Sequence, residues 1–210
     1  EHTRHHAESM ESMLRACREA GVQSMVRLPG LCPEWIAWAL DSGTDGLLLP
    51  MAEEPRQLQT LTELSLYPQD GRRGFTGLSP ATGWGKKRSA NYLQEANNAL
   101  LIGVQIESAR AIANLAALIE NPRIDLFFLG TGDLAVDLGV PGQYDHPAFR
   151  ETLENFFSTL TGRGRSGLYG SRPALLRRGQ ELGAQLLVQG SDSSFLLEGA
   201  RQASSGYREG

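Results

Sequence analysis

Residues 100–107, Leu-Leu-Ile-Gly-Val-Gln-Ile-Glu, constrain this chain more than any other stretch: an aliphatic run that ends in two polar side chains, Gln105 and Glu107. Such a run, bounded by helical patterns, reads as a strand of a parallel sheet buried on both faces. Gln105 and Glu107 lie two residues apart, so on a strand they share a face. A second run repeats the design, with residues 124–129 followed by Gly130-Thr131-Gly132-Asp133. Each strand thus delivers a carboxylate to its carboxyl end, the edge of a parallel sheet where ligands and catalytic groups collect.

The rest of the chain alternates in the same way. Strands are expected at residues 23–28, 46–49, 166–169 and 184–188, besides the two above. Helices are expected at 7–20, 33–43, 55–66, 91–99, 133–138, 146–162, 173–182 and 195–203, with another beginning at the cap Ser108. Six strands separated by helices argue for an α/β fold with a parallel sheet or barrel. A closed (β/α)8 barrel typically takes about 250 residues, and this chain has 210. The expectation is a single barrel domain over residues 1–210, N-terminally incomplete and lacking its first strand, with another strand hidden in a segment read as loop. Residues 67–88 lose all periodicity, and a loop that long in a compact domain is more often functional than idle.

Composition narrows the partners. Net charge is −4, and the only basic cluster is Lys86-Lys87-Arg88, so no nucleic-acid footprint is present. No apolar run reaches membrane-spanning length, no targeting segment is visible, and two cysteines make no disulfide framework. A cytoplasmic protein is expected.

Several residues carry chemistry. Glu107 and Asp133 at neighbouring strand ends suit a hard divalent cation such as Mg²⁺ or Mn²⁺; equally, both suit the starts of the following helices, where acidic groups are favoured. Arg27 pairs either with a substrate carboxylate or with a structural one. His2 is an acid or base by identity alone, with His5 and His6 beside it. Gly130-Thr131-Gly132 after a strand can present backbone N–H groups to an anion. Residue by residue, the reading ends at a metal-dependent α/β-barrel enzyme acting on a small anion.

The order of motifs carries a resemblance. Glu1-His2, Val26-Arg27-Leu28-Pro29, Leu48-Leu49-Pro50-Met51, Tyr67-Pro68 with Gly71-Arg72-Arg73-Gly74, Val104-Gln105-Ile106-Glu107 and Leu129-Gly130-Thr131-Gly132-Asp133-Leu134-Ala135 follow one another. Asp137-Leu138-Gly139, His146-Pro147 and Val188-Gln189-Gly190-Ser191-Asp192 complete the set. The ordered whole resembles the HpcH/HpaI aldolase family, in its branch that uses short free 2-oxo acids.

That resemblance implies a (β/α)8 TIM barrel and a class II aldolase that cleaves 4-hydroxy-2-oxo acids to pyruvate and an aldehyde. It implies Glu107 and Asp133 as ligands of a divalent cation (Mg²⁺, Mn²⁺ or Co²⁺) and Arg27 as the partner of the pyruvate carboxylate. Gln105 matches the glutamine beside the oxo group, and the N–H groups of Thr131 and Gly132 match those facing the carboxylate. His2 matches the proton-transfer residue. Family members assemble as homo-oligomers, hexamers built as trimers of dimers with exchanged C-terminal helices, a part residues 195–203 would play.

Three departures bear on function. The aspartate that usually stands two residues before the Glu-His glutamate is not in this sequence. Ser79-Pro80-Ala81-Thr82 stands where members taking acidic aldehydes carry an arginine, which points to an uncharged or unusual acceptor chosen by residues 75–88 and a neighbouring subunit, unless Lys86 or Arg88 compensates. Gly130-Thr131 replaces the family's Gly-Pro. Two alternatives to the aldolase remain: an oxaloacetate decarboxylase using the same site, and a catalytically inactive barrel that binds a 2-oxo acid.

Overall fold

The computed structural model describes residues 7–87 and 91–208, with side chains over 8–87 and 91–205. Its frame is a parallel sheet of β1 (Met25–Arg27), β2 (Gly46–Leu49), β3 (Leu101–Ile106), β4 (Leu126–Leu129), β5 (Arg165–Gly170) and β6 (Leu186–Gln189), whose spatial order is the order along the chain. Helices α1 (Ala7–Glu19), α2 (Pro33–Asp41), α3 (Pro55–Ser65), α4 (Tyr92–Ala99), α5 (Ala109–Leu118), α6 (Thr131–Asp137), α7 (Pro147–Leu160), α8 (Pro173–Glu181) and α9 (Asp192–Arg208) punctuate it. Proline at the first turn starts α2, α3, α7 and α8, where its missing N–H costs nothing.

The apolar runs form strands because each supplies two cores at once. Within β2, Leu47 and Leu49 face the helices while Leu48 faces the other way; within β4, Phe127 and Leu129 alternate with Leu126 and Phe128 in the same manner. The large core lies between sheet and helices. A smaller cluster of Leu48, Leu126 and Phe128, flanked by Met25, Tyr169 and Leu186, fills the inner face. This is a six-stranded half-barrel. Among the described residues β1 and β6 are its two edges and are not paired with each other.

The hidden strand expected in a loop is absent among the described residues. Residues 67–87 are turns tied down by local backbone bonds, Arg72 N–H to Glu63 C=O at 2.7 Å and Arg73 N–H to Leu66 C=O at 2.8 Å. Arg73 clamps the segment through an ion pair of 2.7 Å to Asp41 and lies over the Tyr67 ring, 4.4 Å from its centroid. Gly and Pro leave these residues no ladder to join. The segment runs to the amino edge of the sheet, where the Ala81 N–H meets the Asp41 carbonyl at 3.1 Å and Pro80, Ala81 and Lys87 face Thr44 and Asp45. Within one chain, Ser79 to Lys87 therefore lie away from the strand ends that carry the carboxylates.

Candidate active site

Strand register explains why the polar groups gather. β3 pairs with β4 so that Val104 faces Phe127 and Ile106 faces Leu129. One step further along, Glu107 comes beside Gly130, and the β4–β5 register brings Tyr169 to the same level. These residues form the rim at the carboxyl ends of the strands.

Glu107 is buried, 4% exposed, and its carboxylate is fixed from two sides. The Met51 N–H donates to Oε1 at 2.7 Å, and the Gln105 side-chain amide donates to Oε2 at 2.6 Å. Among the described residues the other amide atom of that glutamine, Oε1, is buried without a hydrogen-bond partner. Glu107 is not a helix cap: Ser108 caps α5, its Oγ accepting the Ala111 N–H at 3.1 Å. The helix-cap explanation for Glu107 thus fails, and a buried carboxylate held by N–H donors beside a cavity is a candidate for function.

Gly130 makes room for this arrangement. A Cβ built on it would collide with Glu107 Oε2 and stand 2.7 Å from Glu107 Cβ and 2.8 Å from Gln105 Nε2. No side chain fits there while Glu107 and Gln105 keep their places. Gly130 also opens α6, which starts at Thr131, two residues earlier than the sequence pattern predicts. Asp133 consequently sits in the first turn of α6, exposed, where a carboxylate is also favoured by the helix dipole. Thr131 is buried and its hydroxyl donates to the Tyr169 carbonyl at 2.8 Å, tying α6 to β5.

A cavity of about 440 Å³ opens on this rim. Arg27, Gln105, Thr131, Gly132 and Asp133 line its polar side, and Leu48, Phe128, Tyr169, Leu186 and Val188 line the rest. Of the proposed site residues it describes, the structure places Arg27, Gln105, Thr131, Gly132 and Asp133 on this cavity; Glu107 is not among the lining residues and stands behind Gln105 and Gly130. His2 lies outside the described residues. Arg27 is the one cation among the described lining residues, and it ends β1 opposite Leu48.

Sequence reasoning missed three contributors. Met51 acts through its backbone alone, which no residue pattern reveals. Gly130 matters for the atom it lacks. Tyr169 was readable: two-residue alternation along β5 puts it on the inner face with Gly167.

The donor set fits a hard divalent cation. Glu107, Asp133 and the orphaned Gln105 Oε1 are all oxygen donors, the type that Mg²⁺ and Mn²⁺ take. Among the described residues no group of three His, Cys, Asp or Glu side chains is close enough to hold a metal. Were Glu107 and Asp133 to hold such a cation, its other coordination positions would be left to Gln105 Oε1, substrate and water.

Residues 1–166 match the family model described as HpcH/HpaI aldolase/citrate lyase. A 4-hydroxy-2-oxo-heptane-1,7-dioate aldolase of Salmonella arizonae is 33% identical over 202 residues, 95% of this chain and 76% of that protein. Two solved structures are similar throughout. An HpcH/HpaI aldolase/citrate lyase family protein of Burkholderia cenocepacia superposes with a TM-score of 0.91 at 30% identity, covering 99% of this chain and 83% of its own. An HpcH/HpaI aldolase of Desulfitobacterium hafniense gives a TM-score of 0.93 at 25% identity, covering 100% of this chain and 81% of its own.

Proposed function

This chain belongs to the HpcH/HpaI aldolase/citrate lyase family, a family of carbon–carbon lyases, and from that premise we propose a divalent-metal-dependent aldolase that cleaves or forms 4-hydroxy-2-oxo acids. The observation that carries the reading is Glu107: a buried carboxylate that caps no helix, with Gly130 kept bare beside it and Asp133 on the lining of the adjoining cavity.

In cleavage the C3–C4 bond of the substrate breaks, the 4-hydroxyl gives up its proton as the aldehyde forms, and the electron pair moves toward the 2-oxo oxygen. Glu107 and Asp133 would hold a divalent cation, which when bound would supply positive charge to stabilise the enolate. Arg27 pairs with the C1 carboxylate, the bidentate match that a guanidinium makes. N–H groups of Thr131 and Gly132 at the start of α6 face the same anion. Gln105 fixes Glu107 and presents its amide to the oxo group. His2 takes the hydroxyl proton, a task suited to an imidazole whose ordinary pKa is near neutrality. Carbon 3 of pyruvate is then reprotonated as product leaves.

The aldehyde half is uncharged. Beyond Arg27, already assigned to C1, the described cavity lining holds no second cation, and its apolar part is Leu48, Phe128, Leu186 and Val188 with the Tyr169 ring. Two further parallel strands between β6 and β1 would close the sheet into a (β/α)8 barrel over this cavity; the curated relatives, of which this chain spans 76%, are longer. Assembly with further copies, as a hexamer, covers α9, where Phe195, Leu196 and Leu197 are 62%, 76% and 52% exposed. A cytoplasmic location accords with the unpaired Cys17 and Cys32.

Pyruvate release from a panel of 4-hydroxy-2-oxo acids and from oxaloacetate, with metal-stripped protein and with Mg²⁺, Mn²⁺ or Co²⁺ restored, tests the reading. An uncharged-aldehyde substrate as the best one supports it. Preference for oxaloacetate would make the enzyme a decarboxylase, and pyruvate binding without turnover would make it a binding protein.

A further inference from the structure

Met51 holds a backbone conformation that a residue with a Cβ rarely takes, φ +51°, and it spends that conformation on Glu107. The left-handed region crowds Cβ against the following carbonyl. Something must hold it there. The neighbouring peptides show what does. The Ala52 N–H donates to the Gln105 carbonyl at 3.2 Å, which ties the residue after Met51 to β3. The Met51 carbonyl accepts a hydrogen bond from Gln57 Nε2 at 3.1 Å. Gln57 is itself anchored in the first turn of α3, its Oε1 accepting the Glu53 N–H at 2.7 Å and the Glu54 N–H at 2.8 Å.

One amide therefore does two jobs. Its oxygen completes the capping box at the start of α3, which glutamate would do as well as glutamine. Its nitrogen reaches back six residues to Met51, which glutamate cannot do. We propose that Gln57 is a positioning residue for the metal-binding carboxylate: it holds Met51 in the left-handed conformation that aims the Met51 N–H at Glu107 Oε1. The inference rests on Glu107 being a metal ligand, as argued above. Groups that orient a ligand without touching the metal commonly change affinity by about 10–100-fold when removed.

Gln57→Glu isolates the nitrogen. It keeps the acceptor for the Glu53 and Glu54 N–H groups, so α3 stays folded, and it turns an oxygen toward the Met51 carbonyl. Mn²⁺ binding to the full chain, read by electron paramagnetic resonance of the free ion, then weakens roughly tenfold. Charge works against that result, because an added carboxylate by itself draws a cation closer. Glycine adopts positive φ without strain, so the double variant Gln57→Glu with Met51→Gly regains most of the lost affinity.

Gln57→Glu binding Mn²⁺ as tightly as the wild type would overturn the clamp while leaving the function reading intact. Loss that Met51→Gly fails to restore would overturn it too, by showing that the Met51 conformation is not the route. Wild-type protein that binds no Mn²⁺ at all would remove the function reading and the clamp together.

Discussion

At the scale of single residues, the site is defined as much by a missing atom as by the groups present. Gly130→Ala puts a methyl into space that Glu107 and Gln105 occupy, and overpacking of that kind costs about 1–3 kcal/mol. Gly132→Ala is the matched control, since a Cβ there meets nothing within 4 Å. Thermal unfolding and Mn²⁺ binding of the two variants should therefore part: Gly130→Ala melts lower and binds weakly, Gly132→Ala melts as the wild type does. Equal melting temperatures would mean that Gly130 is not under the constraint described. That Arg27, Gln105, Glu107 and Asp133 gather at one rim was legible in the sequence, because strand-end position and side-chain type suffice to place them there. Met51 and Gly130 were not, because backbone direction and excluded volume appear only once β2, β3 and β4 stand side by side. His2 lies outside the described residues, so its place rests on resemblance.

At the scale of elements, strands and helices were legible to within three residues, save the end of α9, which runs five residues past 203, because their signals are local: two-sided apolar runs for β2, β3 and β4, proline or serine at helix starts. Residues 67–87 were not, since their order comes from distant partners. Tyr67 is the pivot. Its backbone N–H donates to Asn97 Oδ1 at 2.8 Å, and burial pushes its phenol up to about 12 against the opposing pull of the Arg73 guanidinium. A tyrosine that ionises near 10 when unfolded and near 12 when folded favours the folded state while protonated. That contribution is complete below pH 10 and is lost as pH rises through 12, on the order of 2 kcal/mol in all. Denaturant unfolding between pH 9 and 12 should show the wild type losing more stability than Tyr67→Phe. Parallel pH curves for the two would show that Tyr67 does not sense folding in this way.

At the scale of the whole molecule, the half-barrel explains both the cavity and its exposed surroundings. β6 leaves Leu187 and Val188 at 37% and 38% exposure, and α9 extends beyond it with Phe195, Leu196 and Leu197 uncovered. Apolar surface of that extent is costly unless something covers it. Leu196→Glu should leave the melting of the single chain unchanged yet lower the assembled mass in sedimentation, whereas wild-type protein that sediments as a single chain at all concentrations would contradict assembly through α9. The sequence made the alternation of strands and helices plain, but not how the sheet edges are met, because edge pairing is decided by what lies next to β1 and β6 rather than by those strands themselves. No helix among the described residues is long and apolar enough to cross a membrane.

The central claim is that Glu107 holds the cation on which carbon–carbon cleavage depends. The most direct test is the rate of pyruvate release by one EDTA-stripped preparation before and after Mg²⁺, Mn²⁺ or Co²⁺ is restored, beside Glu107→Ala handled identically. Metal should restore turnover in the wild type, and the variant should stay at least about a thousandfold slower at every metal concentration. Turnover that survives stripping, or that Glu107→Ala retains once metal is added, would contradict that claim.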